Sequence, residues 1–91
     1  MKFMTIWSVR PGDRREAIDS FLAGKGAPPK GYTLLGRWHR ADCSGGFTLV
    51  EADDPTALYE DAAFWSQYMD LQTVPVAEDG DVGPILMKLK K

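Results

Sequence analysis

The stretch Leu35-Gly36-Arg37-Trp38-His39-Arg40-Ala41-Asp42-Cys43-Ser44-Gly45-Gly46-Phe47-Thr48-Leu49-Val50-Glu51 limits what this chain can fold into more than any other. Two extended runs meet across a polar loop, and the paired glycines Gly45-Gly46 admit positive φ, so the segment reads as a β-hairpin. It also carries the one histidine of the chain beside a tryptophan and two arginines. These polar residues sit among apolar ones and match no catalytic signature.

Elements before and after the hairpin follow from punctuation and period. Lys2 to Arg10 is rich in β-branched and aromatic residues and reads as a strand, stopped by Pro11-Gly12-Asp13. A helix follows, with Asp13 as cap, Glu16 reaching back, Ile18, Phe21 and Leu22 on one face, and an end near Gly24. The segment from Lys25 to Gly31, with Pro28-Pro29, reads as a loop. Asp54-Pro55 places an N-cap and a first-turn proline at the start of a second helix, with Asp53 adding charge at the positive end of its dipole. There Leu58, Ala62, Trp65 and Met69 form an apolar stripe, and Phe64 and Tyr68 lie to one side of it. Asp70 to Ala77 reads as a last strand, confined to a sheet edge by Pro75. A short helix from about Asp81 to Lys90 follows the solvated turn Glu78-Asp79-Gly80-Asp81.

The resulting order is βαββαβ with a C-terminal helix. Right-handed crossovers turn it into an α+β, ferredoxin-like domain over residues 1–91, with strands one and three central in a four-stranded antiparallel sheet. Strand one is apolar on both faces, Phe3, Trp7 and Val9 pointing one way and Met4 and Ile6 the other. Helices cover one face, so a second copy of the chain is expected on the other, giving a homodimer.

Composition narrows the partners. Thirteen acidic against eleven basic residues leave a net charge of −2, and the bases are scattered apart from Lys88, Lys90 and Lys91. No footprint for nucleic acid is expected, and no membrane association. The apolar opening Met1–Trp7 is cut short by Ser8, Arg10 and Pro11, without a small-residue cleavage site after it. A single cysteine forms no internal disulfide, which points to a reducing, cytoplasmic setting.

These residues together resemble a known family. The opening with Trp7 before Pro11-Gly12, the loop Gly26-Ala27-Pro28-Pro29, the hairpin from Leu35 to Phe47, and Glu51-Ala52-Asp53-Asp54-Pro55 with Leu58 and Trp65 are similar to the DUF3303 family, a domain of unknown function. The resemblance covers nearly the whole chain. It implies the dimeric α+β barrel architecture, in which two ferredoxin-like sheets pack face to face, and it implies no reaction. The wider group includes cofactor-free monooxygenases, haem-degrading enzymes, isomerase-like proteins and ligand sensors.

Candidate chemistry rests on few residues. His39 reads as a general base or ligand hydrogen-bond partner, helped by Arg37 on the same strand face and by Glu51 across the hairpin; the alternative is an ordinary strand histidine. Haem-binding relatives of this fold group take their axial histidine from a helix, whereas His39 is in a strand, and one histidine with one cysteine makes no zinc site. No metal and no cofactor are expected. Cys43, beside Asp42, reads as a passive thiol. Trp7, Trp38, Phe64, Trp65 and Tyr68 are more large rings than a core of this size needs, and they mark either an interface or the walls of an apolar ligand cleft. Three readings stand: a dimer binding a small apolar or aromatic molecule between sheet and helices, a cofactor-free monooxygenase or isomerase using His39 and Arg37, and a structural or regulatory homodimer.

Overall fold

The computed structural model describes residues 1–28 and 30–90. Its elements run β1 (Lys2–Val9), a 3-10 turn (Pro11–Asp13), α1 (Arg14–Ser20) continued by a π-helical segment (Phe21–Lys25), β2 (Tyr32–His39), β3 (Gly45–Ala52), α2 (Thr56–Trp65), β4 (Met69–Val76) and α3 (Asp79–Met87). The strands form an antiparallel sheet in the order β2-β3-β1-β4. This is the ferredoxin-like arrangement read from the sequence, with β1 and β3 central and Pro75 on the edge strand opposite Phe3.

Capping differs between the helices in an instructive way. Asp54 accepts hydrogen bonds at Oδ1 from the Thr56 backbone N–H (2.9 Å) and hydroxyl (2.8 Å), so the expected cap of α2 is present. Asp13 makes no cap bond; its carboxylate is taken by Arg10 Nε at 3.0 Å. That arginine also donates to Asp70 (3.0 Å) and the Ser66 carbonyl (2.7 Å), tying the end of β1 to the start of β4. Gly24 carries φ of +92°, so regular helical backbone breaks at the glycine where the sequence places the helix end, one residue before the close of the π-helical segment. On α1 the buried residue is Ala17, while Ile18, Phe21 and Leu22 are exposed rather than packed away. Met69 belongs to β4, and α3 starts at Asp79, so the expected solvated turn is its first turn. In the hairpin Gly45 carries the positive φ (156°) that the paired glycines admit, and Cys43 is also left-handed (φ 66°), beside the Ser44 N–H that donates to Asp42 Oδ1. Pro29 of the anticipated loop and Lys91 lie outside the described residues.

The inward sheet face carries two apolar clusters rather than one. Phe3, Val50, Ala52 and Leu58 pack together with Tyr32 and Leu34, and Ala17, Trp65 and Met69 pack with Trp7, Val9, Tyr68 and Leu71. Between them the strand register lines up Arg37, Thr48, Thr5 and Thr73 across all four strands. The threonine hydroxyls are engaged: Thr5 with Thr73 at 2.8 Å, and Thr48 as acceptor from the Trp7 indole N–H at 3.2 Å. Short polar side chains there do not fill the space beneath the helices. Val50 is 1% exposed, and Val50→Ala removes methyl groups from a site that cannot collapse around its sheet neighbours. A loss of about 2 kcal/mol is expected in urea unfolding.

Candidate functional site

Alternation along β2 decides which side chains reach the space between sheet and helices. Tyr32 and Leu34 face inward opposite Ala52 and Val50; then one extra residue, Leu35, bulges before Gly36 pairs with Leu49. The bulge inverts the alternation, so Arg37 and His39 face inward opposite Thr48 and Gly46, and Trp38 faces outward opposite Phe47. Without it, both polar side chains would stand on the other face.

The inward residues line a cleft of about 340 Å³ over the threonine row. Its walls include Trp7, Val9, Ala17, Ile18, Trp65 and Leu71, with Arg14, Arg37, His39, Tyr32 and Asp61 as polar members. A largely apolar lining with a few converging polar groups is the usual character of a small-molecule site. The His39 ring lies edge-on between Trp7 and Phe21, with centroids at 5.4 and 5.5 Å. Arg37 stacks over Phe21 at 5.2 Å and donates to the Gly26 carbonyl, latching the end of the π-helical segment onto β2. A side chain at Gly26 would come within 2.6 Å of the Phe21 ring, which would have to shift from its place beside Arg37 and His39.

Asp61 was hidden from sequence reasoning, although its position is a signal. Leu58, Asp61, Ala62 and Trp65 recur at i, i+3, i+4 and i+7, which sets a carboxylate inside the apolar stripe of α2. Its Oδ2 accepts a hydrogen bond from the Tyr32 hydroxyl at 3.1 Å. Burial pushes the Asp61 carboxyl above its ordinary range, against the opposing effects of the Tyr32 bond, the Arg37 charge and the Trp65 indole. Burial and the adjacent carboxylate together push the Tyr32 phenol well up.

The five rings and two polar residues singled out from the sequence divide. Arg37, His39, Trp7 and Trp65 come together in the cleft. Trp38 does not, being 55% exposed on the outer sheet face, where its ring lies over Gly36 and a side chain there would meet it at 2.5 Å. Phe64 packs on the flank of α2 against Trp65 and Tyr68 and borders a smaller recess with Lys25, Ala27 and Glu60. Tyr68 is fastened by a hydrogen bond from Ser20 Oγ to its hydroxyl at 3.0 Å. Glu51 pairs opposite Lys2 and binds the N-terminal amine, so it does not reach His39. Cys43 is an exposed free thiol in the hairpin loop at the rim.

Residues 1–90 match the model of a family described as "Domain of unknown function (DUF3303)". The chain belongs to the DUF3303 family. No curated protein matches it. Among solved structures, the DUF3303 chain is similar to one described as "Putative antibiotic biosynthesis monooxygenase from Nitrosomonas europaea", at 8% identity and a TM-score of 0.53, covering 86% of this chain and 98% of that one. Rv0793 from Mycobacterium tuberculosis is similar at 16% identity and a TM-score of 0.46, with the same coverages. At such identities the first likeness is one of fold.

The raised Asp61 carboxyl has a consequence for stability. A carboxyl whose folded pKa exceeds its unfolded one binds its proton more firmly in the fold, so its ionisation weakens the fold as pH rises from the ordinary carboxylate range through the raised value. Asp61→Asn keeps an acceptor for Tyr32 and removes that cost. It should melt above wild type at neutral pH and converge with it in acid, followed by circular dichroism; a wild type that melts higher at neutral pH contradicts this.

Proposed function

We propose that this DUF3303 protein binds a small apolar or aromatic molecule in the cleft between sheet and helices, and works as a homodimer. The observation that carries the reading is the cleft itself: about 340 Å³ walled by Trp7, Trp65 and aliphatic side chains, with Arg37 and His39 on its wall. Trp7 and Trp65 supply ring surface for stacking, and Arg37 and His39 supply orientation at the β2 side. No helix among the described residues is long and apolar enough to cross a membrane. The free, exposed Cys43 suits a reducing, cytoplasmic compartment.

Support for the dimer comes from the other sheet face. Met4, Ile6, Leu49 and Val74 share it with Phe47 (38% exposed) and Trp38, an apolar surface on the side of the sheet away from α1 and α2. A two-fold partner presenting the same face would cover both surfaces at once.

A second reading, oxidation or isomerisation without a cofactor, is favoured by one observation: the His39 imidazole stands on the cleft wall and makes no side-chain hydrogen bond among the described residues. In that reading His39 takes a proton from the bound molecule and Arg37 steadies the resulting oxyanion. Loss of turnover in His39→Ala with binding retained supports it, and unchanged turnover removes it.

Titration calorimetry with naphthalene-sized aromatics tests the binding reading. One molecule per protomer is expected, with affinity reduced about tenfold or more by Ile18→Trp, which fills the cleft from an exposed position on α1. Equal affinity in both proteins would contradict it. Sedimentation equilibrium tests the dimer: wild type is expected at twice the chain mass and Phe47→Glu at the chain mass, whereas a monomeric wild type would contradict the dimer.

A further inference from the structure

The geometry points to Asp61 as the residue that selects the ligand of this cleft, by accepting a hydrogen bond from a hydroxyl on an otherwise apolar ring. This rests on the cleft being a binding site and goes further by naming what it reads.

Asp61 is the one carboxylate among the described residues lining the cleft. Tyr32 occupies one of its oxygens, at 3.1 Å. The Trp65 indole stands beside the carboxylate as a second donor, and a carboxylate, with about four acceptor sites on its two oxygens, has room for a further donor. Arg37 does not close the carboxylate off, because its guanidinium donates to the Gly26 carbonyl and stacks on Phe21, and no ion pair joins it to Asp61 among the described residues. A half-buried carboxylate facing an apolar space therefore keeps acceptor capacity for whatever enters.

The charge around it narrows the donor. Arg14 and Arg37 both line the cleft, and the Arg14 Nε is buried without a partner. A cationic amine would enter against three guanidiniums, those of Arg14, Arg37 and Arg40, and a carboxylate drawn in by them would be repelled at Asp61. A neutral hydroxyl meets neither objection, and it also gives the Arg14 side an oxygen to face. A ligand of the same shape without the hydroxyl would strip water from Asp61 and return nothing, which is the condition under which polar sites discriminate most strongly.

Three probes of one shape series separate the outcomes: 2-naphthol, naphthalene and 2-methoxynaphthalene, titrated into wild type and Asp61→Asn at neutral pH. Asparagine keeps an oxygen for Tyr32 and turns an amide N–H₂ toward the cleft, which cannot accept from a hydroxyl. Wild type should bind 2-naphthol about tenfold or more tightly than either partner probe, and the preference should fall to near unity in Asp61→Asn. Equal binding of all three by wild type, or a hydroxyl preference that survives in Asp61→Asn, overturns the assignment while leaving the cleft as a binding site. Binding of none overturns both. Asp61→Leu, if it melts cooperatively, repeats the test with no polar group at all, and the same collapse of preference is expected.

Discussion

A single extra residue in β2 decides what each face of this sheet can do. The bulge at Leu35 inverts the pleat after Leu34, so one strand contributes Tyr32, Leu34, Arg37 and His39 to the inner face and Gly36 and Trp38 to the outer. The inner face needs the second feature, the cross-strand row of Arg37, Thr48, Thr5 and Thr73. Filled with leucine or phenylalanine, those positions would join the two apolar clusters into one continuous core. Instead Thr5 and Thr73 bond to each other and Thr48 accepts from Trp7, and the space above these three threonines stays open. The cleft is thus a gap left by short polar side chains, and the bulge brings Arg37 and His39 to it.

Much of the fold was legible because it depends on local rules. The order of elements follows from turn residues and period, the α2 start from the Asp54 side chain, and the edge position of β4 from the N–H that Pro75 lacks. The side of the sheet on which Trp38 stands was not legible, since alternation within β2 is reset by a bulge that no residue type announces. Asp13 illustrates a competition that sequence cannot weigh. It has the right identity and spacing for a cap, yet Arg10, three residues before it, claims its carboxylate. Phe64 and Tyr68 are surplus rings as expected, but they pack with Trp65 on the flank of α2 rather than in the cleft.

The site was legible in part. Arg37 and His39 were found through their shared strand face, and Trp7 and Trp65 through their size. Asp61 was missed because a stripe is read by its apolar members, and the carboxylate between Leu58 and Trp65 was passed over. Thr5 was missed for the same reason, being the polar member of the Phe3–Trp7–Val9 face. In both cases the break in an apolar pattern marks the place where the structure opens. The two sheet faces then differ in kind: one holds a gap with few polar groups, the other a flat apolar surface with Trp38 laid over Gly36.

The three indole N–H groups offer the most direct measurement, because Trp7 and Trp65 wall the cleft and Trp38 stands on the opposite face. In a ¹H–¹⁵N spectrum of the uniformly labelled protein, titration with 2-naphthol should shift the Trp7 and Trp65 indole signals together and leave Trp38 in place. Movement of Trp38 without the other two, or three unmoved signals at saturating concentration, would contradict the account of the inner face as the binding face.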